Sequence, residues 1–201
     1  MLLIFQSKAF LFNCKFMNIS LPIVLTIDDE IVLKPLIDED ADRLFELVDQ
    51  NRHHLREFLG WLDNNTSKDD SLAFIQEEKE QLKKKKAVTL GIHYKGHLVG
   101  LISLDCIDHL NFCANIGYWI SKKYQGHGIM SRCTKKVIEY GFNDLKLHRL
   151  ELRCVPHNPK SQRVAEKLGF TNEGRLKGAI AHYGEFFDAF IYSLINHNHK
   201  H

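Results

Sequence analysis

The chain has 201 residues, 44% hydrophobic and 26% charged, which excludes a disordered chain and fits one domain or one domain plus a tail. Twenty-seven Lys and Arg against 25 Asp and Glu leave +2, too even for a nucleic-acid binder. No apolar run reaches the ~20 residues that cross a bilayer, so no membrane partner is expected. The five cysteines are an odd number without C-x-x-C spacing, which argues against a disulfide framework or a zinc knuckle and suits free thiols in a reducing cytoplasm.

Residues 1–16 are apolar but interrupted by Gln6, Ser7 and Lys8. They lack the basic start and small-residue cleavage site of a signal peptide. They read as a non-structural extension, with translation expected to start at Met17 and one domain over residues 17–196. A first strand covers residues 31–36 and ends near Pro35. Asp38 then offers an N-cap, and Ala41, Leu44, Phe45 and Val48, followed by Leu55, Phe58 and Leu59, repeat at helical spacing. Two helices are expected there, stopped by Gly60. Ser67 and Asp70 form a capping-box pattern ahead of a third helix that buries Leu72, Ile75 and Leu82. It ends in Lys83 to Lys86, which read as a solvated helix end.

The period then changes to two. Residues 88–94 and 98–104 form a hairpin around Lys95-Gly96-His97, and residues 114–120 form a third strand. Gly117 inside that strand predicts a bulge or a close backbone approach. A glycine-bearing turn over residues 121–128 leads into a helix with Ile129, Cys133, Val137 and Gly141 on one side. Leu150, Leu152 and Cys154 alternate in another strand. Asn158-Pro159 is a strong helix start, and Val164, Ala165 and Leu168 give that helix its buried face. Residues 171–176 and 186–194 are the last two antiparallel strands. The pattern is an α/β (α+β) chain with one strand–helix–strand crossover inside an otherwise antiparallel sheet. The histidines of residues 197–201 read as a frayed polar tail, and no metal is expected.

The turn Lys123-Tyr124-Gln125-Gly126-His127-Gly128-Ile129-Met130 carries the chemistry. Its two glycines and the following helix N-terminus aim backbone N–H groups at one point, a geometry for phosphate or pyrophosphate. It is no Walker loop, since no Gly-Lys-Ser/Thr follows, and no dinucleotide fingerprint, since Ser131 holds the third glycine position.

This turn resembles the acetyl-CoA loop of the GNAT N-acetyltransferases, with Lys123 in the usual Gln/Arg place and Gly126 and Gly128 matching. Ile116-Gly117-Tyr118-Trp119-Ile120, Asn158-Pro159-Lys160-Ser161 and Leu168-Gly169-Phe170 are similar to the RimJ/RimL branch, as are Asn51, Leu55 and Trp61. The resemblance spans roughly residues 23–196. It implies a mixed, mostly antiparallel sheet flanked by helices, with a splayed parallel strand pair. Acetyl-CoA is the implied co-substrate. Its pantetheine would pair near Tyr118, Trp119 and Ile120, and its pyrophosphate would sit on the amides of Gln125, Gly126, His127, Gly128, Ile129 and Met130. Asn158 would cap a helix and help hold the cofactor, with His127 adding charge or acting as a spacer.

The implied reaction is direct attack of an uncharged amine on the thioester. The tyrosine that protonates the thiolate in many GNAT enzymes is replaced by Ala165, while Ser161 matches the serine acid of the RimL-like branch. The branch's loop glutamate is replaced by Ile180. The base is then His182, Asp105 or a backbone-held water. Cys106, Cys113, Cys133 and Cys154 read as small core fillers. The implied acceptor is a protein N-terminus, that of the acidic ribosomal stalk protein with its terminal serine, and the branch leaves room for a homodimer. The other readings are acetylation of a small amine, such as a polyamine or aminoglycoside, and a CoA-binding regulatory domain without turnover.

Overall fold

The computed structural model describes residues 23–199. The expected extension over residues 1–16, the start at Met17 and the end of the histidine tail lie outside the described residues. Eight strands form one sheet in the order β1-β2-β3-β4-β5-β6-β8-β7. They are β1 (Leu25–Thr26), β2 (Ile31–Lys34), β3 (Val88–Tyr94), β4 (His97–Asp108), β5 (Cys113–Ile120), β6 (Arg149–Cys154), β7 (Thr171–His182) and β8 (Glu185–Ile195). The helices are α1 (Ala41–Arg56), α2 (Lys68–Lys83), α3 (Ile129–Asn143) and α4 (Pro159–Lys167).

Every neighbouring pair is antiparallel except β5–β6. That parallel pair is the expected crossover, made through α3. Its ladder runs only from Cys113–Asn115 against Arg149–Glu151. Beyond Asn115 the two strands part, because β6 is held along its whole length by β8 while β5 stays with β4 up to Ile120. Among the described residues, the β6-facing edge of residues 116–120 is therefore left without a strand partner, and the GNAT-type splay is present.

Helices cover both faces. On one side α1 and α2 pack Leu44, Val48 and Ile75 on Leu98 and Leu101. On the other, Ile129, Cys133 and Val137 of α3 and Ala165 of α4 pack on Ile102, Ile116 and Leu152. Leu101 and Ile102 of β4 serve opposite faces, as a period of two requires, and a register shift beside Val99 puts Leu98 on the face of Leu101. Each fully buried Ile or Leu here contributes roughly 1.5–3 kcal/mol.

The local signals hold at the helix starts. Ser67 Oγ accepts from the Asp70 amide at 3.3 Å, while Asp70 Oδ2 accepts from the Ser67 amide at 2.9 Å. Asn158 caps α4 with Pro159 at its first position. Lys83, Lys84 and Lys86 are exposed at the end of α2.

Five expectations change. The expected helix pair is one helix ending at Arg56 followed by a single short turn, Leu62–Asn64. An added two-residue strand, β1, precedes β2. The bulge lies in β4, where the register shifts between Asp105 and Asp108 and Cys106 has φ 52°. Gly117 pairs in register with Ser103 and is the close approach, the second of the two expectations for it. A Cβ there would lie 3.1 Å from both Asp105 Oδ2 and Ser103 Oγ. Cys133 and Cys154 are buried as expected, but Cys106 at the bulge is exposed. Finally, β7 runs six residues further than expected, to His182, and meets β8 through a tight turn at Tyr183 (φ 46°) and Gly184 (φ 86°). Ile180 there pairs with Phe187.

Candidate functional site

Two cavities meet inside the fold. The first, about 410 Å³, lies where β5 and β6 part. Tyr118, Trp119 and Ile120 of the unpaired edge form one wall, and Cys154 and Val155 the other. Gln125, Gly126, Gly128, Ile129 and Met130 form its end. Gly126 and Gly128 have φ of 82° and 72°, so the turn needs the left-handed backbone that glycine adopts without strain. Gly128 is the N-cap of α3 and offers no capping side chain. The first amides of α3 thus present donors and the positive helix end to a bound anion.

Cations gather round the same cavity. Arg153 and, on α4, Lys160, Arg163 and Lys167 line it. Sequence reasoning missed them, although the spacing 160, 163, 167 marks one helical face. Gln125 is clamped by both neighbours. Lys160 Nζ donates to its Oε1 at 2.6 Å, and its Nε2 lies 2.5 Å from His54 Nε2. His54 and Phe58 of the α1 end also line the cavity. Burial holds the His54 pKa below its usual 6.5. Asn51, among the early marks, ties α1 to this turn: its Oδ1 accepts from the Lys122 amide at 2.9 Å, and its Nδ2 donates to Leu47 O at 2.8 Å.

Asn158 and Ser161 come together as expected. Asn158 Oδ1 accepts from the Ser161 amide at 3.1 Å, and both line the cavity. The Tyr118 hydroxyl lies beside Ser161 yet makes no hydrogen bond of normal geometry, and burial pushes its pKa up to about 12. Cys154 is raised to about 11, chiefly by burial, so it is a thiol near neutral pH and no nucleophile. Ile180 lines the cavity, so the position expected for a base does face the site, with an apolar side chain.

The second cavity, about 490 Å³, lies under α1 and α2. Leu59, Tyr118 and Trp119 line both cavities and form the wall between them. Trp61 and Phe74 supply apolar surface, and Asp70, Glu78 and Asp105 supply carboxylates. Among the described residues, no lysine, arginine or histidine lines it. Asp105 and Glu78 both have pKa values raised, first by burial.

Two expected site residues stand apart. His127 is exposed and lines neither cavity. His182 also lines neither. Its ring lies against Tyr183 and Phe187, at centroid distances of 4.7 and 4.8 Å. That hairpin end docks on the end of α1 and the turn after it, where the Arg56 guanidinium covers the Tyr183 ring and Tyr183 Oη donates to Leu59 O at 3.0 Å. Among the described residues no cluster of His, Cys, Asp and Glu could hold a metal ion, and no helix is long and apolar enough to cross a membrane.

Residues 30–171 match the Acetyltransferase (GNAT) domain family. YdaF of Bacillus subtilis (strain 168), whose name assigns it provisionally to ribosomal N-acetylation, is 34% identical over 170 residues, 84% of this chain and 93% of that protein. The ribosomal-protein-serine acetyltransferase of Escherichia coli (strain K12) is 28% identical over 171 residues, 85% and 96% of the two chains. Among solved structures, the microcin C7 self-immunity acetyltransferase MccE, in complex with acetyl-CoA and AMP, superposes with a TM-score of 0.82 at 34% identity, covering 86% of this chain and 98% of that one. The ribosomal L7/L12 α-N-protein acetyltransferase RimL, in complex with coenzyme A, gives 0.83 at 25% identity over 86% and 98%. With its splayed strand pair, its glycine turn at a helix N-terminus and this match over most of its length, the chain belongs to the GNAT acetyltransferase family and uses acetyl-CoA as its acetyl donor.

Proposed function

We propose that this acetyltransferase modifies the N-terminal α-amine of a ribosomal protein, with the terminal serine of the acidic stalk protein as the acceptor to test first. The observation that carries the reading is the shared wall of Leu59, Tyr118 and Trp119. A donor bound along the free β5 edge and an amine entering from the second cavity meet there, so the acetyl group passes directly from sulfur to nitrogen. Alignment of two bound reactants supplies a large part of the rate. The named activities of the E. coli relative and of RimL support the acceptor class.

Each residue has a task. The α3 amides and the Arg153, Lys160, Arg163 and Lys167 side chains hold the phosphates of the donor. The backbone of residues 118–120 pairs with its pantetheine arm as an added strand. Ser161, fixed in the first turn of α4 by Asn158, protonates the leaving thiolate, with the Tyr118 hydroxyl beside it. An α-amine has a pKa of about 7.7–8.0, so a useful fraction is neutral near pH 7. A lysine side chain, at about 10.4, is not.

A second reading, a small cationic amine, is favoured by the carboxylates and the lack of cations among the described residues that line the second cavity. Release of free CoA thiol from acetyl-CoA, measured with a serine-initiated stalk-protein peptide, spermidine and buffer alone, separates the two. Turnover with the peptide at least tenfold above spermidine is expected. The reverse order would replace the first reading with the second.

A further inference from the structure

The geometry points to Asp105 as the proton acceptor for the incoming amine, a position that Gly117 leaves open. This rests on the proposed direct transfer, and it names the base that reading lacks. Asp105 lies on β4, and its Oδ2 accepts from Ser103 Oγ at 2.6 Å. The same oxygen lies where the Cβ of any residue but glycine at 117 would press on it, at 3.1 Å. Gly117 is followed on β5 by Tyr118 and Trp119, the wall shared with the donor cavity. Asp105 is therefore the carboxylate of the second cavity that stands on the strand next to β5.

The other two are committed elsewhere. Asp70 caps α2, accepting from the Thr66 and Ser67 amides, and these bonds hold its pKa below 3.8. Glu78 of α2 is bound by the Thr89 hydroxyl of β3, one strand further from β5. Glu78 and its neighbour Glu77 are like charges, and β3 and β5 face Asp105 with Thr89, Asn115 and Gly117, which do not titrate. Tyr118 is held protonated. With no cation among the described residues that line the cavity, an incoming ammonium is the natural partner of Asp105, and burial, which raises its pKa, brings it towards that of a base working near neutral pH.

The balance is complete. The ammonium gives one proton to Asp105, which later returns it to solvent. The nitrogen lone pair forms the C–N bond as the C–S bond breaks. The second nitrogen proton leaves to solvent, and Ser161, which passes its proton to the CoA sulfur, regains one from solvent, so one proton is released per turnover.

The test is the pH dependence of kcat/KM for Asp105→Asn, measured with whichever amine the wild type acetylates. The wild type should hold a plateau from below pH 7 up to the pKa of the amine. The variant should lose roughly 10²-fold at pH 6.5 and rise about tenfold per pH unit up to the pKa of the amine, so that its deficit against wild type narrows steadily over that range, with its acetyl-CoA Kd unchanged. Gly117→Ala, which displaces the carboxylate without removing it, should show a smaller loss of the same shape. Parallel profiles for wild type and Asp105→Asn would overturn the assignment. If Asp105→Asn also loses acetyl-CoA binding, Gly117→Ala decides, and a flat ratio to wild type across pH overturns it. A wild type that acetylates spermidine but no peptide defeats only the proposed acceptor, since the Asp105 profile is then read on spermidine. A wild type that acetylates neither defeats both.

Discussion

At Gly128 a φ of 72° and an open surface combine, since a Cβ there would meet no atom within 4 Å. Gly128→Val therefore clashes with nothing in the free protein. It costs about 1–2 kcal/mol of backbone strain and puts a branched side chain where phosphate oxygens must approach the amides. Calorimetry should show the acetyl-CoA Kd raised at least tenfold, with the fold retained. Unchanged affinity would remove the turn from the phosphate site. Ser161→Ala tests the other end of the donor cavity. If the hydroxyl is the acid, kcat should fall by roughly 10²–10⁴ while the acetyl-CoA Kd moves little. A drop of only a few-fold would give the thiolate its proton from water or Tyr118 and reduce Ser161 to a first-turn helix residue.

At the scale of elements, α4 has two duties. Its start is fixed by the Asn158 cap, and Asn158→Ala should cost about 1 kcal/mol of stability and also loosen Ser161. Its exposed face carries Lys160, Arg163 and Lys167. If this face binds donor phosphates, acetyl-CoA affinity in the wild type should weaken as salt rises, because exposed charges are screened over about 10 Å at 0.1 M. Arg163→Glu with Lys167→Glu should weaken binding at low salt and flatten that dependence. An unchanged salt slope in the double variant would place the phosphates elsewhere.

Across the whole molecule, the outer edge of the sheet is fastened by an ion-pair network between strands. Arg149 of β6 donates to both oxygens of Glu173 on β7, at 2.9 and 2.6 Å, and Ser193 of β8 donates to Glu173 at 2.6 Å. Led by the Arg149 hydrogen bonds, these partners lower the Glu173 pKa from 4.5 to about 2. A depressed folded-state pKa stabilises above the unfolded value, and that contribution is lost as pH falls from about 4.5 towards 2. Because Glu173 is exposed, its share is modest. Thermal melts of Glu173→Gln should converge with wild type at pH 2 and lie below it at pH 6. A constant gap across that range would assign the difference to packing.

The same division by distance along the chain decides what could be read in advance. The strand–turn–helix around Gly126 and Gly128, the Ser67 and Asn158 caps and the period-two hairpin were legible, because each is set by backbone preferences within a few residues. The family resemblance rested on those short stretches, and the match over residues 30–171 agrees with it. The α4 cations were legible too, at helical spacing, but were passed over. Other features had no local signal. His54 meets Gln125 across 71 residues. Asp105 faces Gly117 because of β4–β5 register, and the bulge fell at Cys106 because an extra residue can be absorbed on either strand of a pair. The β7 extension and the removal of His182 from both cavities follow from hairpin register and docking on the end of α1 and the turn after it. Such contacts are settled by the packing of elements distant in sequence, where spacing along the chain no longer reports proximity.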